Sequence, residues 1–217
     1  MKSLGALLAV VCAMLPVSVL AQGGYSLPTQ SAQLLAPQTP AERITCINAL
    51  RGYRLGGHDT LKLQASIMYL AMKNAHDDLQ GKTLSERYLE ILSELQNQPL
   101  PDAVEAESTM KRCYDADPLT SGNQTRPLPT NAFRRDLVCR VAILLVLQST
   151  QRFGGTPERT HLAVVQKRFE DRTGPERYYE NGLRTQEAMD ASVAEALTTS
   201  LSIGTTDAIA NTCAELQ

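Results

Sequence analysis

The 217 residues contain no Gly-x-Ser-x-Gly elbow, no His-Glu-x-x-His pair and no phosphate-cradling glycine loop. The common serine-hydrolase, zinc-protease and nucleotide chemistries therefore lack the residues they need. Histidine is scarce: His58, His76 and His161 are the three present. A cysteine–histidine nucleophile would need one of them beside a free thiol. Basic charge is not in excess, since 21 Lys and Arg face 23 Asp and Glu, for a net charge of −2. Nucleic-acid binding normally needs a clustered basic field, so this balance argues against a polyphosphate partner. No period-two alternation of convincing length occurs, which points to an all-α chain. Beyond the start of the chain, the most apolar run is residues 137–147. It is interrupted by Arg140 and falls well short of the roughly 20 residues a membrane span needs.

What is present begins with an address. Lys2 supplies a positive start, an apolar run follows, and Val19-Leu20-Ala21 offers small residues for cleavage. Residues 1–21 are expected to be a signal peptide, and the mature protein to be periplasmic or secreted. The four cysteines of the mature chain, Cys46, Cys113, Cys139 and Cys213, are an even number for an oxidising compartment. They allow three connectivities. Neither a Cys-x-x-Cys pair nor a Cys–His spacing supports a metal site, so no metal or cofactor is expected.

One phrase occurs twice: Lys82-Thr83-Leu84-Ser85-Glu86-Arg87-Tyr88 and Arg172-Thr173-Gly174-Pro175-Glu176-Arg177-Tyr178. In both, Thr followed three residues later by Glu has the form of a capping box, and the Tyr begins a buried stripe. Each copy lies inside its own cysteine pair and follows a Gly-Gly helix stop, Gly56-Gly57 or Gly154-Gly155. The chain thus reads as a tandem repeat of two four-helix units, residues 39–114 and 131–217, with an extended arm at 22–38 and a linker at 115–130. The repeat favours the pairs Cys46–Cys113 and Cys139–Cys213. Units of roughly 80 residues are small enough for a staple each to matter.

Within the first unit, Thr39 with Glu42, Asp59, Thr83 with Glu86, and Asp102 with Glu105 mark four helix starts. In the second, residues 137–147 suggest the central helix. A helix opening at Pro175 is expected to run through Gly182, kinking there, towards Leu197. Residues 200–204 are expected to turn before a last helix from about Thr206 that carries Cys213.

The residues that suggest chemistry are the doublets His58-Asp59 and His76-Asp77, since helical metal phosphohydrolases combine imidazoles with carboxylates. Asp59 is equally a helix cap, and His76-Asp77 a solvated helix end. Glu86 and Glu176 are explained by capping. No catalytic residue is assigned, and the tyrosines and methionines at helical spacing read as core.

The run Cys46-Ile47-Asn48-Ala49-Leu50-Arg51-Gly52-Tyr53, the pair Tyr69-Leu70, and Thr109-Met110-Lys111-Arg112-Cys113 resemble the immunity proteins that bacteria make against type VI secretion amidase effectors. The likeness covers the first unit. It implies a small, all-helical periplasmic protein that blocks a peptidoglycan-cleaving amidase by occluding its active site. The loops at Gly56, Gly57, His58 and Asp59, at residues 96–102 and at residues 154–158 are the candidate plugs. Competing readings are a periplasmic chaperone of the acid-stress type, a carrier of lipid or another small ligand, and a His-Asp metal hydrolase.

Overall fold

The computed structural model describes residues 38–54, 60–153 and 161–216, and all regular structure among them is helical. The expected signal peptide, most of the arm and the Gly-Gly stops lie outside the described residues. The chain divides into two compact units that part between Asn123 and Gln124.

The first unit contains α1 (Pro40–Arg54), α2 (Thr60–Asp77), α3 (Leu84–Gln96) and α4 (Ala103–Ala116), followed by a 3-10 turn at Pro118–Ser121. Asp59 lies outside the described residues, and the other three starts carry the expected side-chain cap. Thr39 accepts from the Glu42 amide while the Glu42 carboxylate accepts from the Thr39 amide at 2.7 Å. Thr83 and Glu86 make the same reciprocal pair, and Asp102 caps Glu105 at 2.9 Å. Each cap contributes about 1 kcal/mol by satisfying an amide that the helix leaves open. α1 packs against α2 and α4, and α2 against α3. Ile47, Leu50, Ile67, Leu70, Tyr88, Ile91 and Leu95 are fully buried between them. Burying each aliphatic side chain stabilises the unit by about 1.5–3 kcal/mol.

Cys46 and Cys113 are bonded, tying α1 to α4. Beside them a clasp closes the entry of the chain. The buried Arg43 guanidinium donates to the Gln38 carbonyl at 2.7 Å, to Asn74 at 3.3 Å and to Asp77 at 2.6 Å.

The segment read as a linker is structured in its first half. α4 runs to Ala116, and Leu119, Thr120 and Ser121 are buried. Asp117 organises this stretch: one carboxylate oxygen accepts from the Leu119 amide at 3.2 Å, the other from Lys73 at 2.9 Å and Tyr69 at 3.2 Å. Those partners lie more than 40 residues away, so composition alone could not reveal them.

Among the described residues the second unit contains α5 (Ala132–Phe153), α6 (His161–Arg172), α7 (Pro175–Glu180), α8 (Gln186–Ile203) and α9 (Thr206–Ala214), five helices where four were expected. α5 packs against α6, α8 and α9 and buries Leu137, Val138, Ala142, Ile143, Leu145 and Val146. The bond between Cys139 and Cys213 ties α5 to α9.

The extra helix arises at Gly182, which terminates rather than kinks. With Gly182 at φ 79°, the Leu183 amide reaches back to the Tyr178 carbonyl at 2.9 Å and the Gly182 amide to Tyr179 at 3.0 Å. This is the Schellman closure, which requires a left-handed residue just past the helix end. Thr185 then caps a new helix at Ala188. The turn expected at residues 200–204 is likewise shorter: α8 continues to Ile203, leaving Gly204 and Thr205 before α9.

The recurring phrase also diverges. In the second copy Thr173 is no cap: its hydroxyl donates to the Phe169 carbonyl at 2.6 Å and accepts from Arg140 at 3.1 Å. Pro175 takes the first turn of α7, so Gly174 occupies the cap position and makes no side-chain bond. Both tyrosines are nevertheless buried, Tyr88 among the first unit's helices and Tyr178 edge-on to Phe133 at 5.2 Å.

Candidate protein-binding surface

Of the three candidate plugs, Gly56, Gly57, His58 and Asp59 and residues 154–158 lie outside the described residues, while residues 96–102 are described. This loop joins α3 to α4 and is held by one face of α1. Asn48 donates to the Gln98 side chain at 2.5 Å, and Arg51 donates to both the Leu95 carbonyl and Asn48. Gly52 completes the seat. A methyl group there would lie 3.0 Å from the Pro101 carbonyl oxygen and 3.3 Å from Ala106 Cβ. Glycine in mid-helix ordinarily costs about 1 kcal/mol relative to alanine, and here it permits the loop's close approach. The Asp102 cap then fixes the direction in which α4 departs.

With its backbone seated in this way, the loop presents apolar surface. Leu100 is 37% exposed and Val104, in the first turn of α4, is 79% exposed. Around them stand Asp102, Glu105 and Glu107, none with a cation within ion-pair distance among the described residues. Elsewhere in the unit several carboxylates have cationic partners, although Glu42, Glu86 and Asp115 have none among the described residues. Asp77 meets Arg43, Asp117 meets Lys73, Glu90 meets Lys82 and Arg87, and Glu94 meets Arg87. The edge formed by the loop and α4 is thus pre-shaped, partly apolar and negative. The seating contacts use residues of the Cys46–Tyr53 run, and Pro99 and Pro101 within the loop are its sequence signal. Val104 carried none.

Of the other residues singled out for chemistry, His76, Asp77 and Glu86 have described partners, while Glu176 stands in the first turn of α7 without the expected capping bond. His76 lies 3.4 Å from Asp77, whose second oxygen is taken by Arg43. Among the described residues no group of three or more His, Cys, Asp or Glu side chains is gathered that could hold a metal ion. The Glu86 carboxyl is held below the ordinary carboxylate range, first by the Thr83 amide and then by the Thr83 hydroxyl. All four cysteines of the two bridges are buried and bonded to one another. Burial pushes the Tyr114 phenol up to about 12, against a smaller opposing effect of its bond to Ser66.

Set against models of protein families, curated proteins and solved structures, the chain matches none.

Proposed function

We propose that this is an exported tandem-unit helical protein that works by binding another protein, as an immunity protein that occludes the active site of a peptidoglycan-cleaving amidase delivered by type VI secretion. The observation that carries the binding part is the seated loop at residues 97–102. Asn48, Arg51 and Gly52 hold it while Leu100 and Val104 face solvent. A plug of this kind loses little conformational freedom when it enters a cleft, so more of its contact energy appears as affinity. The two disulfides support an oxidising compartment, and among the described residues no helix is long and apolar enough to cross a membrane. In both units the bridge ties the opening helix to the last, and a Glu-Arg-Tyr phrase supplies a buried tyrosine, which supports relating the units to each other. The occlusion mechanism needs neither a cofactor nor a catalytic group on this chain.

The test is affinity capture with oxidised protein from an extract of its source organism, followed by an inhibition assay on what is captured. One stoichiometric cell-wall amidase, inhibited at equimolar protein and released by Leu100→Asp, is the expected result. Many clients held only in acid would replace this reading with a chaperone.

A further inference from the structure

The same edge carries an inference about the kind of surface it meets, and it rests on the protein-binding reading. Along α4 the exposed positions are polarised. Val104, Glu105 and Glu107 lie in the first half with Asp102 at the cap, whereas Lys111 and Arg112, with a single acid at Asp115, lie beyond. Among the described residues the three carboxylates have no cationic partner and lie within three residues of Val104, whereas Asp77, Glu90, Glu94 and Asp117 each meet Arg or Lys. Arg112 turns instead to the Thr109 hydroxyl at 2.9 Å. Negative charge left uncompensated beside a fixed apolar anchor repels other acidic surfaces and attracts basic ones.

We infer that the partner presents an apolar socket rimmed by lysine or arginine, which takes Leu100 and Val104 while its basic rim faces Asp102, Glu105 and Glu107. Rim charges act mainly on encounter, whereas an anchor in a socket acts mainly on dissociation. The two groups of residues therefore separate kinetically.

The experiment measures association and dissociation rates of the captured partner against the full oxidised protein at low and high salt. Glu105→Gln with Glu107→Gln is expected to slow association about tenfold at low salt and to flatten its salt dependence, with dissociation nearly unchanged. Lys111→Glu adds negative charge without touching the anchor or the cap and is expected to speed association a few-fold. Val104→Asp is expected to speed dissociation at least tenfold. Thermal melts of each variant verify folding, and the Lys111→Glu gain cannot arise from misfolding. If Leu100→Asp and Val104→Asp abolish binding but association ignores both salt and the charge variants, the basic rim is wrong and the binding surface stands. If the partner binds both anchor variants normally, or no specific partner is captured, the surface itself is wrong and the inference falls with it.

Discussion

Thr83 and Thr173 occupy the same place in a repeated phrase and use their hydroxyls in opposite directions along the chain. Thr83 accepts from the Glu86 amide ahead of it and opens α3, whereas Thr173 donates to the Phe169 carbonyl behind it and closes α6. The difference follows from Pro175, which shifts the next helix start by one residue, and from Arg140, which reaches across to the Thr173 hydroxyl and carbonyl. Thr83→Ala should therefore cost about 1 kcal/mol, the usual value of an exposed cap. Thr173→Val should cost about 1–3 kcal/mol, because it strips a buried acceptor from a guanidinium. Urea unfolding of both variants checks the order. A larger loss for Thr83→Ala would show that Thr173 contributes little.

Gly52→Ala tests the seat of the loop. An exposed mid-helix glycine gains up to about 1 kcal/mol when changed to alanine. Here the added methyl meets the Pro101 backbone at 3.0 Å, so the change should instead destabilise by about 1–3 kcal/mol. Partner binding should weaken with it. A stabilised variant would mean the loop is free to move away.

Asp77→Asn leaves the buried Arg43 guanidinium without its carboxylate partner and should destabilise by about 1–3 kcal/mol, moderated by the exposure of Asp77. His76→Asn, one residue away and exposed, should stay within about 0.5 kcal/mol of the parent. The pair of melts separates the clasp from any role of the His-Asp doublet. Equal effects of the two changes would contradict the assignment of Asp77 to Arg43.

Each disulfide closes a long span, 67 residues for Cys46–Cys113 and 74 for Cys139–Cys213. In the chain-entropy model, replacing either pair by alanine should cost about 4 kcal/mol in its own unit. Because these four cysteines are buried, a thiol reagent added with mild reductant should label them only as the protein unfolds. Rapid labelling of the native protein would contradict this.

Stability should fall at both ends of the pH scale. The carboxyls of Glu42, Glu86 and Glu90 lie below their ordinary 4.5 in the folded chain, the first two chiefly through threonine amides and Glu90 through Lys82 and Arg87. Their contribution is complete above 4.5 and is lost as pH drops through the depressed folded values. Tyr114 has the opposite sign. Its folded phenol titrates near 12 rather than 10.0, so stability is full below 10 and declines by up to about 3 kcal/mol as pH rises towards 12. Melting curves across pH, repeated with Glu86→Gln and Tyr114→Phe, should lose part of the acid and alkaline slopes respectively. Unchanged slopes would remove these groups from the account.

The sequence by itself determined the helical class and most helix starts in the first unit, and it favoured the cysteine pairing that the structure shows. Those signals are local or repeated: a threonine and a glutamate three residues apart satisfy each other's amides whatever surrounds them. Tertiary structure alone decided that Thr173 serves Arg140, that Asp117 draws residues 117–121 into the first unit through Lys73 and Tyr69, and that Val104 is left outside the core. Gly182 lies between the two cases: a glycine can stop a helix or kink one, and the reach of the Leu183 amide back to Tyr178 chose the stop. A hydrogen bond that spans 30 or more residues leaves no spacing to read, so such roles emerge only when packing brings the partners together.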